Sequence, residues 1–102
     1  MIEGIKIDME TETLRRHVQE RADFHKAKSR WYDKQVDSLK AGIAAQTNVS
    51  NDPVSSLERS RESHRERATF FQIICDHLVP NEVYRLSEGD LARLELFSRY
   101  FV

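Results

Sequence analysis

The chain has 102 residues, which is enough for one domain. Its 16 basic and 17 acidic residues leave a formal net charge of −1, which argues against a protein that binds nucleic acid through its overall charge. With 39% hydrophobic and 32% charged residues, the composition is typical of a helical protein with surface ion pairs and not of a disordered chain.

Three features of the composition bear on location. No apolar stretch is long enough to span a bilayer, and residues 1–10 have no apolar core of signal-peptide length. The one cysteine, Cys75, cannot form a disulfide within the chain. We therefore expect a cytoplasmic protein without membrane contact.

Residues 1–9 form a short extended segment, in which residues 2–9 alternate between apolar and polar side chains. Ile5, Ile7 and Met9 fall on one side of this segment, which is the pattern of a short strand. Residues 10–45 follow without a helix breaker other than Gly42, which costs roughly 1 kcal/mol relative to alanine. They predict a helix about 50 Å long.

Residues 46–54 have the composition of a loop. Ser55 and Glu58 are spaced as a capping box, which predicts that a second helix begins at residue 55. The helical pattern continues to residue 79, and Pro80 ends it.

Residues 80–87 form a connection, in which the stretch 82–86 permits an extended conformation. Ser87 and Asp90 again suit a helix cap, and they open a short third helix over residues 88–101. The two short extended segments lie at the open end of the hairpin. They permit a small antiparallel two-stranded ribbon there, which would need further packing because an isolated ribbon is marginal in water.

Both long helices carry one face of residues spaced alternately by four and three, which is the seam that a partner helix covers. The first seam comprises Val18, Ala22, His25, Ser29, Tyr32, Val36, Leu39 and Ile43. The second comprises Leu57, Arg61, His64, Ala68, Phe71, Cys75 and Leu78. The sequence therefore predicts an all-α fold, a long antiparallel helical hairpin with a short C-terminal helix, assembling as a coiled-coil bundle.

The two seams also share a local pattern. The eight residues from His25 and the eight from His64 both run histidine, base, any, base, small, any, aromatic, aromatic. If the turn is centred near residue 50, His25 lies opposite Cys75 and His64 lies opposite Val36. The repeat is compatible with a hairpin that is pseudo-symmetric about its middle, and also with chance.

The polar seam residues His25, Ser29, His64 and Cys75 are the candidates for chemistry. A metal site needs converging ligands, but no glutamate precedes a histidine by three residues, so the Glu-x-x-His pairs of di-iron bundles are absent. Cys75 lies in an apolar helical stretch, where cysteine is usually inert.

We therefore expect no enzymatic activity, no cofactor and no metal. The seam histidines are expected to hydrogen-bond locally and set the helix register, or to form a pH-sensitive interface.

Basic residues cluster beside aromatic ones on both long helices. The candidates for a basic patch are Lys26, Lys28, Arg30, Lys34, Arg59, Arg65 and Arg67. Bases interleaved with aromatic rings can bind nucleic acid. Against this, Glu58, Glu62 and Glu66 follow the second cluster at helical spacing, which favours a salt-bridged surface.

The chain has more large apolar side chains than two seams can bury. The candidates for an interface are Phe24, Trp31, Tyr32, Phe70, Phe71 and Ile74. The third helix is too short to cover a hairpin about 50 Å long, so we favour a homodimer that forms a four-helix bundle. The competing arrangement is a monomeric hairpin with the third helix folded back.

The favoured function is a non-enzymatic protein–protein interaction or self-assembly module, with a different protein partner also possible. A nucleic-acid-associated protein and a metal- or ligand-binding bundle built on the seam histidines are the alternatives.

Overall fold

The computed structural model describes residue 4 and residues 6–44 and 52–100. Strand β1 (Lys6–Glu10) leads into helix α1 (Thr11–Ala44), and helix α2 (Asp52–His77) returns alongside it. Strand β2 (Val83–Ser87) and two short helices, α3 (Glu88–Arg93) and α4 (Phe97–Tyr100), complete the chain. The predicted all-α fold, a long helical hairpin with a short C-terminal helical part, is confirmed.

The two-stranded ribbon is also present. β1 and β2 pair antiparallel, with Ile7 opposite Leu86 and Met9 opposite Tyr84. Met9 and Leu86 are buried and belong to the hydrophobic core. The ribbon therefore obtains from the helices the packing that an isolated pair of strands lacks.

The seam residues pack as the heptad spacing predicts. On α1, Val18, Ala22, His25, Ser29 and Val36 are buried, and on α2, Ala68, Phe71 and Cys75 are buried. The side chain of Ile43, the last residue of the first seam, lies outside the described part of the structure. At the ribbon end, the core also takes in Leu14 of α1 and Leu91, Leu94 and Leu96 of the C-terminal part.

α2 begins at Asp52, three residues before the predicted start at residue 55. Ser55 therefore lies inside the helix and does not cap it. Pro53 falls in the first turn, where its fixed φ suits a helix and its missing N–H has no intrahelical acceptor to lose. The rest of the predicted loop, residues 46–51, lies outside the described residues.

The third helix differs from its predicted span of 88–101. It opens with the predicted capping box between Ser87 and Asp90, but it ends at Arg93. The Glu95 and Leu96 N–H groups donate to the carbonyls of Ala92 and Leu91, and Glu95 has a φ of 58°. This is a Schellman ending, with a left-handed residue just after the helix. It allows Leu94 and Leu96 to be buried on the same core.

Candidate functional site

Four rings stack in two equivalent pairs at the middle of the hairpin. His25 stacks on Phe71 with ring centroids 5.6 Å apart, and Tyr32 stacks on His64 at 5.5 Å. The Nδ1 atoms of the two histidines lie 2.7 Å apart. An offset of 39 residues converts His25 into His64 and Tyr32 into Phe71. The contacts therefore follow an approximate two-fold axis through the histidine pair, perpendicular to the plane of the hairpin.

This register differs from the predicted one. His25 lies opposite His64 and Phe71, and not opposite Cys75. The reason is the early start of α2, because the midpoint between Ala44 and Asp52 is position 48 and not 50. Each facing position is therefore displaced by about one helical turn along the partner helix.

The histidine pair is covered by Glu95, which the left-handed ending of α3 brings onto the hairpin. His25 Nε2 lies 3.0 and 2.9 Å from the two carboxylate oxygens of Glu95. Arg21 donates to the same carboxylate, and an Arg67 nitrogen lies 3.7 Å from it. Glu95 was not among the predicted site residues, because it is 70 residues from His25 in the chain and no local pattern connects them.

The electrostatics of this cluster oppose extra positive charge. Burial lowers the pKa of His64, and the charges of His25, Arg67 and Lys28 lower it further. Burial alone would raise the pKa of the Glu95 carboxyl, but hydrogen bonds from Arg21 and His25 outweigh this effect and lower the pKa overall. Glu95 is therefore ionised near neutral pH, and His64 is neutral.

Three aromatic side chains on this side of the hairpin remain largely exposed. Phe24 is 40% exposed, Trp31 50% and Phe70 47%. We call this surface, together with Lys28, the aromatic face. Trp31 and Phe70 are equivalent under the offset of 39 residues, so the two-fold axis places them on the same side. Each meets the neighbouring inner ring edge-on, Trp31 with Tyr32 and Phe70 with Phe71.

The other interface candidates are less accessible. Phe71 is only 1% exposed and stacks on His25, so it belongs to the hairpin core and is not available to another molecule. Tyr32 is half-buried against His64, and Ile74 packs against the core near the ribbon end. Off-seam Phe24, Trp31 and Phe70 thus provide the large exposed rings of this set.

The opposite side of the hairpin carries an open groove of about 450 Å³ over the same axis. Buried Ser29 and Ala68 form its floor. A polar contact lies at each end of the groove, between Lys26 and Gln72 at 2.9 Å and between Arg65 and Asp33 at 3.9 Å. The offset of 39 residues relates the two contacts. These paired groups place polar side chains at both ends of the groove, whereas most of its exposed lining is apolar and includes Ile73.

The basic candidates do not share one surface. Lys26, Arg30 and Arg65 line the groove, whereas Lys28 and Arg67 lie near Phe24 and Glu95 on the other side. Arg59 lines a shallow depression with Glu58, Glu62 and Glu66. Arg65 is bonded to Glu62, as the alternating charges on α2 predict. Lys34 is exposed.

Cys75 and the histidines have the surroundings of structural residues. Burial raises the pKa of the Cys75 thiol, whose Sγ lies 3.4 Å from Gln19 Oε1 and 3.8 Å from the Arg15 carbonyl oxygen. In the described part of the chain, no three histidine, cysteine or acidic side chains are grouped so that they could hold a metal ion. None of the described helices combines the length and hydropathy needed to cross a bilayer.

Comparison with models of protein families, with curated proteins and with solved structures found no match to this chain.

Proposed function

We propose that this protein is a non-enzymatic helical module that self-associates through its aromatic face. The exposure of Phe24, Trp31 and Phe70 carries the proposal. Three large rings grouped on one side of a small domain form a patch of the kind that marks interaction sites. Aromatic side chains are also the residues that contribute most to binding energy when they are buried in an interface.

Within the described residues, no part of the chain covers the whole aromatic face, and the length of the hairpin explains why. The molecule is 59 Å long, and the C-terminal part packs its leucines at the ribbon end. A second hairpin has the length to cover the face, and two hairpins related by a two-fold axis form a four-helix bundle.

Charges beside the aromatic face support a second copy of the chain as the partner. Lys28 lies 5.9 and 5.8 Å from the ring centroids of Phe24 and Trp31 and makes no ion pair among the described residues. Glu66 lies one helical turn before Phe70 on α2, is exposed, and also has no ion pair among the described residues. A two-fold interface can bring such opposite charges together twice, and the net charge of −1 imposes little overall repulsion.

The alternative functions have less support. The basic side chains are divided between two sides of the hairpin, and several are bonded to carboxylates or amides, which weakens the case for nucleic-acid binding. The two histidine nitrogens that face each other offer only two ligands for a metal. We also propose a cytoplasmic location, because the buried, unpaired Cys75 suits a reducing compartment.

Size-exclusion chromatography with light scattering, at two concentrations and moderate salt, tests the proposal. The expected mass is a stable multiple of 12.0 kDa, with the dimer favoured. Trp31→Ala should shift this mass to that of one chain. Ile73→Ser is the matched control, because Ile73 is 53% exposed but lines the groove on the opposite side, so its mass should not change.

A single-chain mass for the unaltered protein at both concentrations would overturn the proposal. So would a Trp31→Ala variant that remains folded and keeps the assembled mass. In the first case, the aromatic face would have to serve a different protein.

A further inference from the structure

We propose that the His25–His64 pair is an acid-sensitive latch that holds the two long helices and the Glu95 corner together through one shared proton. The inference rests on the geometry within a single chain and does not require self-association. It concerns the centre of the hairpin, where both histidines, Glu95 and the ring pairs meet.

The distance between the two rings leaves room for one proton. The two Nδ1 atoms are 2.7 Å apart, so one nitrogen donates and the other accepts. His64, neutral or charged, can donate its Nδ1–H to a neutral His25, or a charged His25 can donate to a neutral His64. In both cases a single proton lies between the rings, and a second one would place two donors against each other.

Glu95 determines which nitrogen of His25 faces His64. His25 donates through Nε2 to the carboxylate, which leaves only its Nδ1 atom for His64. Arg21 and Arg67 hold the same carboxylate, and Lys28 lies nearby on α1. The cluster therefore contains one acid and three permanent cations, so two charged imidazole rings side by side would add to a positive charge that a single carboxylate does not balance.

A second proton between the two Nδ1 atoms breaks the contact between the rings. When both rings are charged, each Nδ1 atom carries a proton, so His64 must leave Nδ1 of His25. This movement also breaks its stacking on Tyr32. Trp31 meets Tyr32 edge-on with ring centroids 4.9 Å apart, so the displacement reaches the aromatic face. Acid therefore loosens the middle of the hairpin and alters the surroundings of the chain's one tryptophan.

The sign of the pH dependence follows from linkage. His64 has a pKa in the folded chain below the ordinary value, so the unfolded chain binds its proton first as the pH falls. Stability due to this group is present above the unfolded pKa of about 6.5 and decreases below it. The unfolding equilibrium constant should rise by up to about tenfold between pH 7.5 and 5.5 from this one group. Glu95 stays ionised over this range, because its pKa is lowered.

Urea unfolding at pH 7.5 and 5.5 tests the latch, with the mass of the protein checked at both values. The informative variant is His64→Asn, whose amide can still donate to His25 Nδ1 but cannot take up a proton. The unaltered protein should lose stability and change its tryptophan fluorescence on acidification. In His64→Asn, both the loss of stability and the change in fluorescence should be smaller.

Two other histidines provide controls. Exposed His77 bonds to the Ile73 carbonyl, and His77→Gln should retain the full acid dependence. His17 accepts a hydrogen bond from Arg99, and its pKa is lowered by burial and then by the charge of Arg99. His17→Gln should therefore remove a separate part of the acid dependence of stability. His64→Asn in the His17→Gln background should then lose a further part of the dependence.

The latch is overturned if His64→Asn retains the whole acid dependence of the protein. Long-range ¹⁵N–¹H spectra of the imidazoles provide an independent readout. At pH 7.5 they should find a proton on Nε2 of His25 and not on both Nδ1 atoms. Two rings that both accept a second proton by pH 5.5 with no loss of stability would also contradict the latch.

Discussion

The hydroxyl of Thr11, the first residue of α1, donates to the carbonyl of Val79, 68 residues later, at 2.6 Å. The same hydroxyl accepts the N–H of Glu82 at 3.1 Å, and the Thr11 N–H donates to the Glu82 carbonyl at 2.9 Å. Thr11 is only 1% exposed. One residue therefore connects the start of α1 to the chain segment that leaves α2, at the end opposite the connection between the helices.

Thr11→Val should lower the free energy of unfolding by about 1–3 kcal/mol, because it leaves a carbonyl and an N–H without their partner while keeping the shape of the side chain. Chemical denaturation measures this loss. Thr69→Val is the control, since the exposed Thr69 hydroxyl donates to the Arg65 carbonyl in its own helix, and its loss should change stability by less than about 0.5 kcal/mol. Equal losses in the two variants would contradict the role assigned to Thr11.

Glu95 has a φ of 58°, which costs a residue with a Cβ about 1–2 kcal/mol. Glu95→Ala and Glu95→Gly both remove the carboxylate that Arg21 and His25 contact. Only glycine also removes the backbone penalty. We expect Glu95→Gly to be more stable than Glu95→Ala by about 1 kcal/mol, as measured by urea unfolding. Equal stability would mean that the α3 ending rearranges when the carboxylate is lost.

Gly42 lies inside α1, and a Cβ built on it would have no atom within 4 Å. Gly42→Ala should raise the free energy of unfolding by about 0.5–1 kcal/mol, because alanine has less backbone freedom to lose and clashes with nothing. Thermal or urea unfolding measures the gain. The reverse change at the preceding exposed residue, Ala41→Gly, should lower the free energy of unfolding by a similar amount. A destabilised Gly42→Ala variant would indicate a contact with residues outside the described part of the chain.

Cys75 should react slowly with a thiol reagent at pH 8. The side chain is 4% exposed, and its raised pKa lowers the fraction of thiolate, which is the reactive form. The same protein unfolded in urea provides the reference and should react much faster. Comparable rates in the two states would show that α2 opens readily around Cys75.

Local patterns explain why much of the fold was predictable. Steps of four and three placed Val18, Ala22 and His25 on one buried face, because helical periodicity depends only on spacing along the chain. The Ser87–Asp90 cap was predictable for the same reason, since both partners lie within one turn. The exposure of Phe24 and Trp31 agrees with their off-seam positions.

The register of the hairpin was harder to predict because it depends on where α2 begins. Pro53 can start a helix as well as interrupt one, so the capping pattern at Ser55 suggested the wrong residue. A helix that starts at residue 55 moves the centre of the turn to about residue 50, which predicts that His25 faces Cys75. In the structure His25 faces His64.

The sequence by itself determined the two long helices, their buried faces, the two short extended segments and the excess of aromatic side chains, because each depends on residues close together in the chain. The tertiary structure decided what the histidines contact. The stacked rings, the shared proton and the Glu95 carboxylate depend on the register of two helices and on one left-handed residue after α3. Distances between such distant residues are set by packing, which local spacing does not encode.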